Sequence, residues 1–319
     1  MDATGQLFSQ LHETLRASHK VLLVAHKKPD GDTLGSSSSV LNWLIREGKD
    51  VSIFCRDIPP EIYGYIDNVH RYTNDPVVFD GAYDVVVIFD SGDLRYCGVH
   101  EYMPRLQPGY HLVNLDHHVT NERFAQTNIV LTDASSTAEV VYRFYAHNDI
   151  EIDSRMATSL LTGLLTDTSS FSNAATNPLA MHAASAMLSA GARQTDIQNN
   201  LMNNKTVLAL KLWGKMLDRL HYNATYDVVS TYILEEDMIG FGTDDVEGAS
   251  NFLSATVGES DAVLTLRQLP GGQIKGSMRS ANRDISKIAK LFGGGGHKKA
   301  AGFTIDGRIQ ETENGPVIV

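Results

Sequence analysis

Cysteine is nearly absent from this 319-residue chain, which has only Cys55 and Cys97. Neither belongs to a Cys-x-x-Cys pair, so zinc-finger and dithiol readings have no support. Cys55 closes the apolar run Val51–Cys55 and is expected to serve as a small core hydrophobe. No run of ~18 apolar residues occurs, and the stretch from Met1 to His19 lacks the apolar segment of a signal peptide. The expectation is a soluble, cytoplasmic protein with no membrane partner. A basic excess is missing as well: formal net charge is −11, which makes duplex nucleic acid a poor partner. A small anionic substrate stays open if metal ions and a few local cations supply positive charge. Tandem repeats and low-complexity tracts are absent too.

The length exceeds what one hydrophobic core usually holds, so about two domains are expected. In the first half, Val21–Ala25, Val51–Phe54, Val85–Phe89 and Leu112–Leu115 are short, solidly apolar runs, and Asn128–Leu131 is a weaker fifth. Helical patterns at Ser36–Glu47, Ser136–His147 and Arg155–Leu165 separate or follow them. Continuous apolar strands alternating with helices predict an α/β fold whose parallel sheet is covered on both faces. From about Ala190 to Tyr222, apolar residues from Met202 to Leu220 recur at helical spacing and read as the buried stripe of a connector. A second, smaller α/β domain then begins, with strands at Val228–Leu234, Ala262–Leu269 and Gln273–Arg279 and helices at Val246–Leu253 and Ile285–Phe292. The tail after Gly307 shows no clear pattern.

Acidic and imidazole side chains gather where apolar segments end. His26-Lys-Lys-Pro-Asp30-Gly-Asp32 follows the first strand, Asp90 the third and Asp116-His117-His118 the fourth, while Asp167 ends an apolar helix. Each piece has an ordinary reading by itself: an Asp after a strand caps a helix, Pro-Asp-Gly makes a turn, and paired histidines are solvated. Four such segments together argue for one site, because open α/β sheets bind ligands at the carboxyl ends of their strands. Mixed Asp and His donors without Cys suit Mn²⁺, Mg²⁺, Fe²⁺ or Zn²⁺. The ligands outnumber what one ion with open positions needs, so two ions ~3.5–4 Å apart sharing a carboxylate fit better.

These segments resemble the DHH phosphoesterase superfamily, named for the triplet present here as Asp116-His117-His118. Its HxxPDxD motif stands as His26, Pro29, Asp30 and Asp32, its isolated second-motif Asp as Asp90, and its fourth-motif Asp as Asp167. The resemblance implies a Rossmann-like N-terminal domain holding two divalent ions, Mn²⁺ first, with Mg²⁺, Fe²⁺ or Co²⁺ as alternatives. His26, Asp30 and Asp90 would hold one ion. Asp32, Asp90, His117 and Asp167 would hold the other, with Asp90 bridging. His118 would face the substrate phosphate, and Asp116 would orient a histidine or the loop. Arg95 is read either as a phosphate contact or as a surface salt bridge.

Phe292-Gly293-Gly294-Gly295-Gly296-His297 is the second strong feature. Four glycines weaken regular structure by ~0.5–1 kcal/mol each relative to alanine, so a loop that grips an anion through its N–H groups is expected, with a flexible hinge as the alternative. With Arg279-Ser280 and Ala300–Phe303, this run resembles the DHH-associated C-terminal domain, which implies that Arg279, Ser280, the glycines and His297 bind substrate. The expected layout is a catalytic domain at 1–190, a helical linker at 191–225 and a substrate-binding domain at 226–319, with the active site in a cleft between them.

Within that resemblance, length disfavours the multidomain single-strand exonucleases, the Gly293–His297 pattern disfavours the pyrophosphatases and the missing membrane spans disfavour membrane-bound phosphodiesterases, which leaves the compact nano-RNase group. The function expected is hydrolysis of short oligoribonucleotides to mononucleotides, together with 3′-phosphoadenosine 5′-phosphate (pAp) to AMP. Hydrolysis of cyclic di-AMP or pApA is the close alternative, and a nucleotide-binding sensor without turnover is the alternative of another class. Short RNA or a small nucleotide is the expected partner, and a homodimer is allowed.

Overall fold

The computed structural model describes all residues except 1, 2, 174, 202–204, 243, 244, 247, 259, 313 and 314, together with the side chain of His297. The chain divides into two compact units, Met1–Asn203 and Asn204–Val319. The division falls inside the segment read as a helical connector.

In the first unit, the strands are β1 (Lys20–Ala25), β2 (Asp50–Cys55), β3 (Tyr72–Thr73), β4 (Val85–Phe89), β5 (His111–Asp116) and β6 (Thr127–Val130). The helices are α1 (Ala3–Ala17), α2 (Gly31–Arg46), α3 (Leu94–Cys97), α4 (Thr137–His147), α5 (Ser154–Asp167), α6 (Pro178–Ser189) and α7 (Gln194–Leu201). All six strands pair in parallel, in the order β3-β2-β1-β4-β5-β6. This is a doubly wound sheet, and its order reverses between β1 and β4.

Alternation along the strands divides the core between the two faces. Val21, Leu23, Ile53, Val85, Val87, Val113 and Leu115 pack under α1, α2, α4, α5 and α6. Leu22, Val24, Phe54, Val86 and Ile88 face the other way, against Phe79, Cys97, Met103 and Leu106. That second cover is built from α3 and short 3₁₀ turns rather than long helices.

The second unit contains α8 (Val207–Asp218), β7 (His221–Asn223), β8 (Val228–Ile233), α9 (Ala249–Thr256), β9 (Ala262–Leu269), β10 (Gln273–Ser280), α10 (Ser286–Leu291), β11 (Gly295–His297), β12 (Ala300–Asp306), β13 (Ile309–Thr312) and β14 (Gly315–Ile318). Its main sheet has the order β11-β12-β10-β9-β8-β7, with β8 and β9 parallel and the other pairs antiparallel. In the tail after Gly307, β13 and β14 pair antiparallel, which its sequence did not reveal.

Two local expectations need correction. The buried face of α8 is Ala209, Leu212 and Met216, with Trp213 packed beside it, whereas Val207, Leu210, Leu217 and Leu220 are exposed. Of the expected stripe, Met216 and Trp213 do face the core, the other four are on the open side, and its first residue, Met202, lies outside the described residues. The glycine run is not a free loop: Gly293 ends α10 with φ +72°, and Gly295–His297 is an edge strand paired with β12. A Cβ at Gly294 would come 2.1 Å from the Gly302 carbonyl oxygen, and one at Gly296 2.5 Å from that of Ala300. Close approach of two backbones therefore accounts for those two glycines. No helix among the described residues is long and apolar enough to cross a membrane.

Candidate functional site

The four sequence segments converge at the carboxyl ends of β1, β4 and β5, around the point where strand order reverses. His26 follows β1 directly and Asp90 follows β4 directly, so the two strands flanking the reversal each deliver one side chain. Asp90 has φ +55°, a left-handed conformation that Asp tolerates better than most residues. Its amide donates to the Leu115 carbonyl, which ties it to the end of β5. Asp116 is the last residue of β5 and is fully buried.

The Pro-Asp-Gly-Asp segment is a helix start rather than a free turn. Asp30 is the N-cap of α2 and accepts from the amides of Asp32 and Thr33, which places Asp32 in the first turn. The helix begins at Gly31, five residues before its sequence pattern. Glycine makes this possible, because α2 crosses α5 at close range. A Cβ on Gly35 would come 2.3 Å from the Ser159 carbonyl oxygen, and one on Gly163 would come 2.7 Å from Asp32 Oδ1. This crossing brings Asp32 beside Asp167, the last residue of α5.

Three sets of donor atoms each lie within 4.8 Å of one another: His26, Asp30 and Asp90; Asp32, His117 and Asp167; and Asp90, His117 and His118. Asp90 joins the sets. Its Oδ2 lies 3.4 Å from His26 Nε2, and its Oδ1 lies 3.7 Å from His117 Nε2 and 3.6 Å from His118 Nδ1. His117 Nε2 is also 3.1 Å from Asp167 Oδ2, and His26 Nε2 is 3.7 Å from Asp30 Oδ1.

The imidazoles are oriented for ligation. His26 Nδ1 lies 2.7 Å from the Lys27 carbonyl oxygen and His117 Nδ1 lies 3.4 Å from that of Ala134. A carbonyl can only accept, so both rings carry their proton on Nδ1 and turn Nε2 toward carboxylates. Among the described residues, His117 Nε2 is buried without a well-aligned hydrogen bond, although Asp167 Oδ2 is within reach. An imidazole lone pair facing carboxylate oxygens is unfavourable unless a proton or a cation lies between them. In the metal-free chain a proton takes that place. Burial opposes it at His26, but Asp30 and Asp90 raise that pKa to about 12. Burial opposes it at His117 too, where Asp167, Asp32 and Asp90 raise the pKa to about 10. Burial, reinforced by Asp90, lifts Asp167 to about 6, and burial with Asp90 and Asp167 pushes Asp32 well above the usual carboxylate range. Four converging carboxylates carry the charge that two divalent cations would cancel, so the residues present fit a two-ion site.

Asp116 holds the second histidine of the triplet. Its Oδ1 lies 2.7 Å from His118 Nδ1 and accepts from the His117 amide, while Oδ2 accepts from Asn121 Nδ2. Against the effect of burial, His118 and Asn121 keep the Asp116 carboxyl below its ordinary range. Asn121 Nδ2 also reaches Asn114 Oδ1 and the Ser91 carbonyl. The sequence reading missed Asn121, although its position three residues after the triplet was a usable signal.

Arg95 lies on α3 with an exposed side chain, and among the described residues its guanidinium makes no salt bridge. In the second unit, Arg279 on β10 donates to Asn251 Oδ1 and to its own neighbour's carbonyl, Met278 O. No carboxylate among the described residues pairs with it, and burial alone lowers its pKa. Ser280 is buried, donates to the Asp261 carbonyl and accepts from the amides of Asn282 and Arg283, so its hydroxyl is engaged in shaping a turn.

Comparison with known proteins decides the family. Residues 20–164 match the N-terminal domain of the DHH family, and residues 228–314 match the DHHA1 domain. The chain belongs to the DHH family. Its relatives include metal-dependent hydrolases of phosphoesters. The chain is 29% identical to the bifunctional oligoribonuclease and PAP phosphatase NrnA of Thermus thermophilus, over 92% of this chain and 87% of that protein. It is 26% identical to the cyclic-di-AMP phosphodiesterase PdeA of Listeria monocytogenes, over 95% of this chain but 47% of that longer protein. The fold matches an exopolyphosphatase-related protein from Bacteroides fragilis with a TM-score of 0.85 and 23% identity, covering 93% of this chain and 90% of the other.

Proposed function

We propose that this DHH-family chain hydrolyses short oligoribonucleotides to mononucleotides and converts pAp to AMP, using two divalent ions, Mn²⁺ first among them. The observation that carries this reading is the run of three donor sets, two of which share Asp90 and two His117. The NrnA likeness across nearly the whole chain supports the substrate class.

In this reading, His26, Asp30 and Asp90 hold one ion, and Asp32, Asp90, His117 and Asp167 hold the other. Such a pair supplies a nucleophile at neutral pH and a clamp on the phosphoryl oxygens. The protein's own groups do the rest. Asp116 fixes the His118 ring so that it can stabilise charge developing on the phosphate, with Arg95 as a further phosphate contact. Arg279, which has no carboxylate partner among the described residues, binds a second phosphate through its planar fork. Ser280 and Gly293–Gly296 shape that region, and His297 is assigned to the nucleotide by resemblance. Short RNA in the cytoplasm is the proposed partner.

The anchor is compact, so nucleotides beyond its reach add no contact. Purified protein with Mn²⁺ should therefore act on pAp, pApA and dinucleotides, and lose activity steeply past about five nucleotides, at the low end of the ~4–16 that basic grooves track. Comparable kcat/KM for RNA of two and of twenty nucleotides would refute it. The PdeA likeness supports a second reading, hydrolysis of cyclic di-AMP or pApA. Preference for cyclic di-AMP over dinucleotide RNA in the same assay would replace the first reading with the second.

A further inference from the structure

We infer that Thr137 is a positioning residue for the metal centre, one that fixes Asp90 through its hydroxyl and Asp32 through its amide. The inference rests on the two-ion reading of those carboxylates. Thr137 is fully buried and lies in none of the three donor sets. Its Oγ1 donates to Asp90 Oδ1 at 2.9 Å. Its amide donates to Asp32 Oδ2 at 2.6 Å, and the Ala138 amide to Asp32 Oδ1 at 2.8 Å. One residue thus holds two carboxylates that reach the centre from different elements, Asp90 from β4 and Asp32 from α2.

The start of α4 is itself held rigid. Ser136 caps it by accepting from the Glu139 amide, and Glu139 reaches back to the amide and hydroxyl of Ser135. The amides at the first two helical positions have no acceptor within the helix. Asp32 takes both, and ligation still leaves each of its oxygens a lone pair. The Thr137 hydroxyl is the part that any other capped helix would lack. It occupies one lone pair of Asp90 Oδ1 and sets the plane of the carboxylate joining the donor sets. Groups that orient metal ligands in this way typically contribute ~10–100-fold to metal affinity.

The test compares the full-length wild type with Thr137→Val, which keeps the shape and the amide but removes the hydroxyl, and with Thr137→Ser, which keeps both donors. Mn²⁺ is titrated calorimetrically into each metal-free protein, and melting temperature is read without and with saturating Mn²⁺. The expectation is a ~10–100-fold loss of Mn²⁺ affinity in Thr137→Val, restored to within about threefold in Thr137→Ser. The Mn²⁺-induced rise in melting temperature should shrink in the valine variant. Should that variant not fold, Thr137→Ala carries the same measurement. Wild-type affinity in the variant, or an equal fall of both melting temperatures with affinity unchanged, would overturn the inference. A wild type that takes up no Mn²⁺ would instead sink the metal reading beneath it.

Discussion

Metal binding at this centre should expel protons, and the structure sets how many. In the metal-free chain at pH 7.5, His26 with a pKa of about 12 and His117 with one of about 10 are both protonated. Each must lose its Nε2 proton to ligate. Asp167, at about 6, is already largely ionised, while Asp32 is raised well above the usual range and adds to the count wherever it still holds a proton. Filling the site therefore releases about two protons, more with Asp32 included, and the overall affinity for the ion pair rises ~100-fold per pH unit between pH 7 and 9. Calorimetric titration of Mn²⁺ in two buffers of different ionisation enthalpy reads the proton number directly. The metal-free chain has the opposite trend. A raised histidine pKa contributes stability that is complete below about 6.5, the value in the unfolded chain, and is lost as pH rises through the folded value. The gap between Mn²⁺-loaded and metal-free melting temperatures should therefore widen from pH 6.5 to 9. A proton number near zero, or a gap that narrows over that range, would refute the charge assignment.

Three further outcomes are expected. His117→Ala should reduce metal occupancy, whereas His118→Ala should retain it and lose ~10²–10³ in kcat; equal metal loss in both purified variants would mean the roles are wrong. Gly163→Ala places a methyl 2.7 Å from Asp32 Oδ1 and 2.7 Å from Ala138 Cβ, so it should cost ~1–3 kcal/mol of stability by thermal melt and weaken Mn²⁺ binding together. Arg279→Ala should raise KM for dinucleotides and pAp with metal content unchanged, since it removes an anion contact and no ligand.

Much of the first unit was legible because parallel strands buried on both faces read as unbroken apolar runs. Val21–Ala25 and Val85–Phe89 needed no other signal, and the polar residue after each marked the edge of the site. The start of α2 was harder to read. Gly31, Gly35 and four serines are poor helix formers, and that stretch is helical because it packs against α5, a relation no local pattern carries. Thr137 escaped for the same reason. The Ser-Ser-Thr-Ala-Glu sequence marks a helix start, but which carboxylates meet its amides is decided by the crossing of α2, α4 and α5. The glycine run misled in the other direction, since its composition suggested a loop and its glycines instead admit a neighbouring strand.

The same burial that makes the centre hard to read also links its chemistry to folding. Asp32 and Asp90 are 0% and 3% exposed. A carboxylate so placed must be protonated, hydrogen-bonded or paired with a cation. The fold supplies part of that compensation in fixed form: two α4 amides on Asp32, the Thr137 hydroxyl on Asp90, and Asn121 with His118 on Asp116. These donors orient the oxygens but leave their charge in place, and without metal the imidazolium forms of His26 and His117 answer it. Replacing those two protons by two divalent ions would exchange internal ion pairs for coordination while the packing around the ligands stays the same. The donors that remain through that exchange keep the ligand geometry in place before metal arrives, and Thr137 is the residue that spans both halves of it.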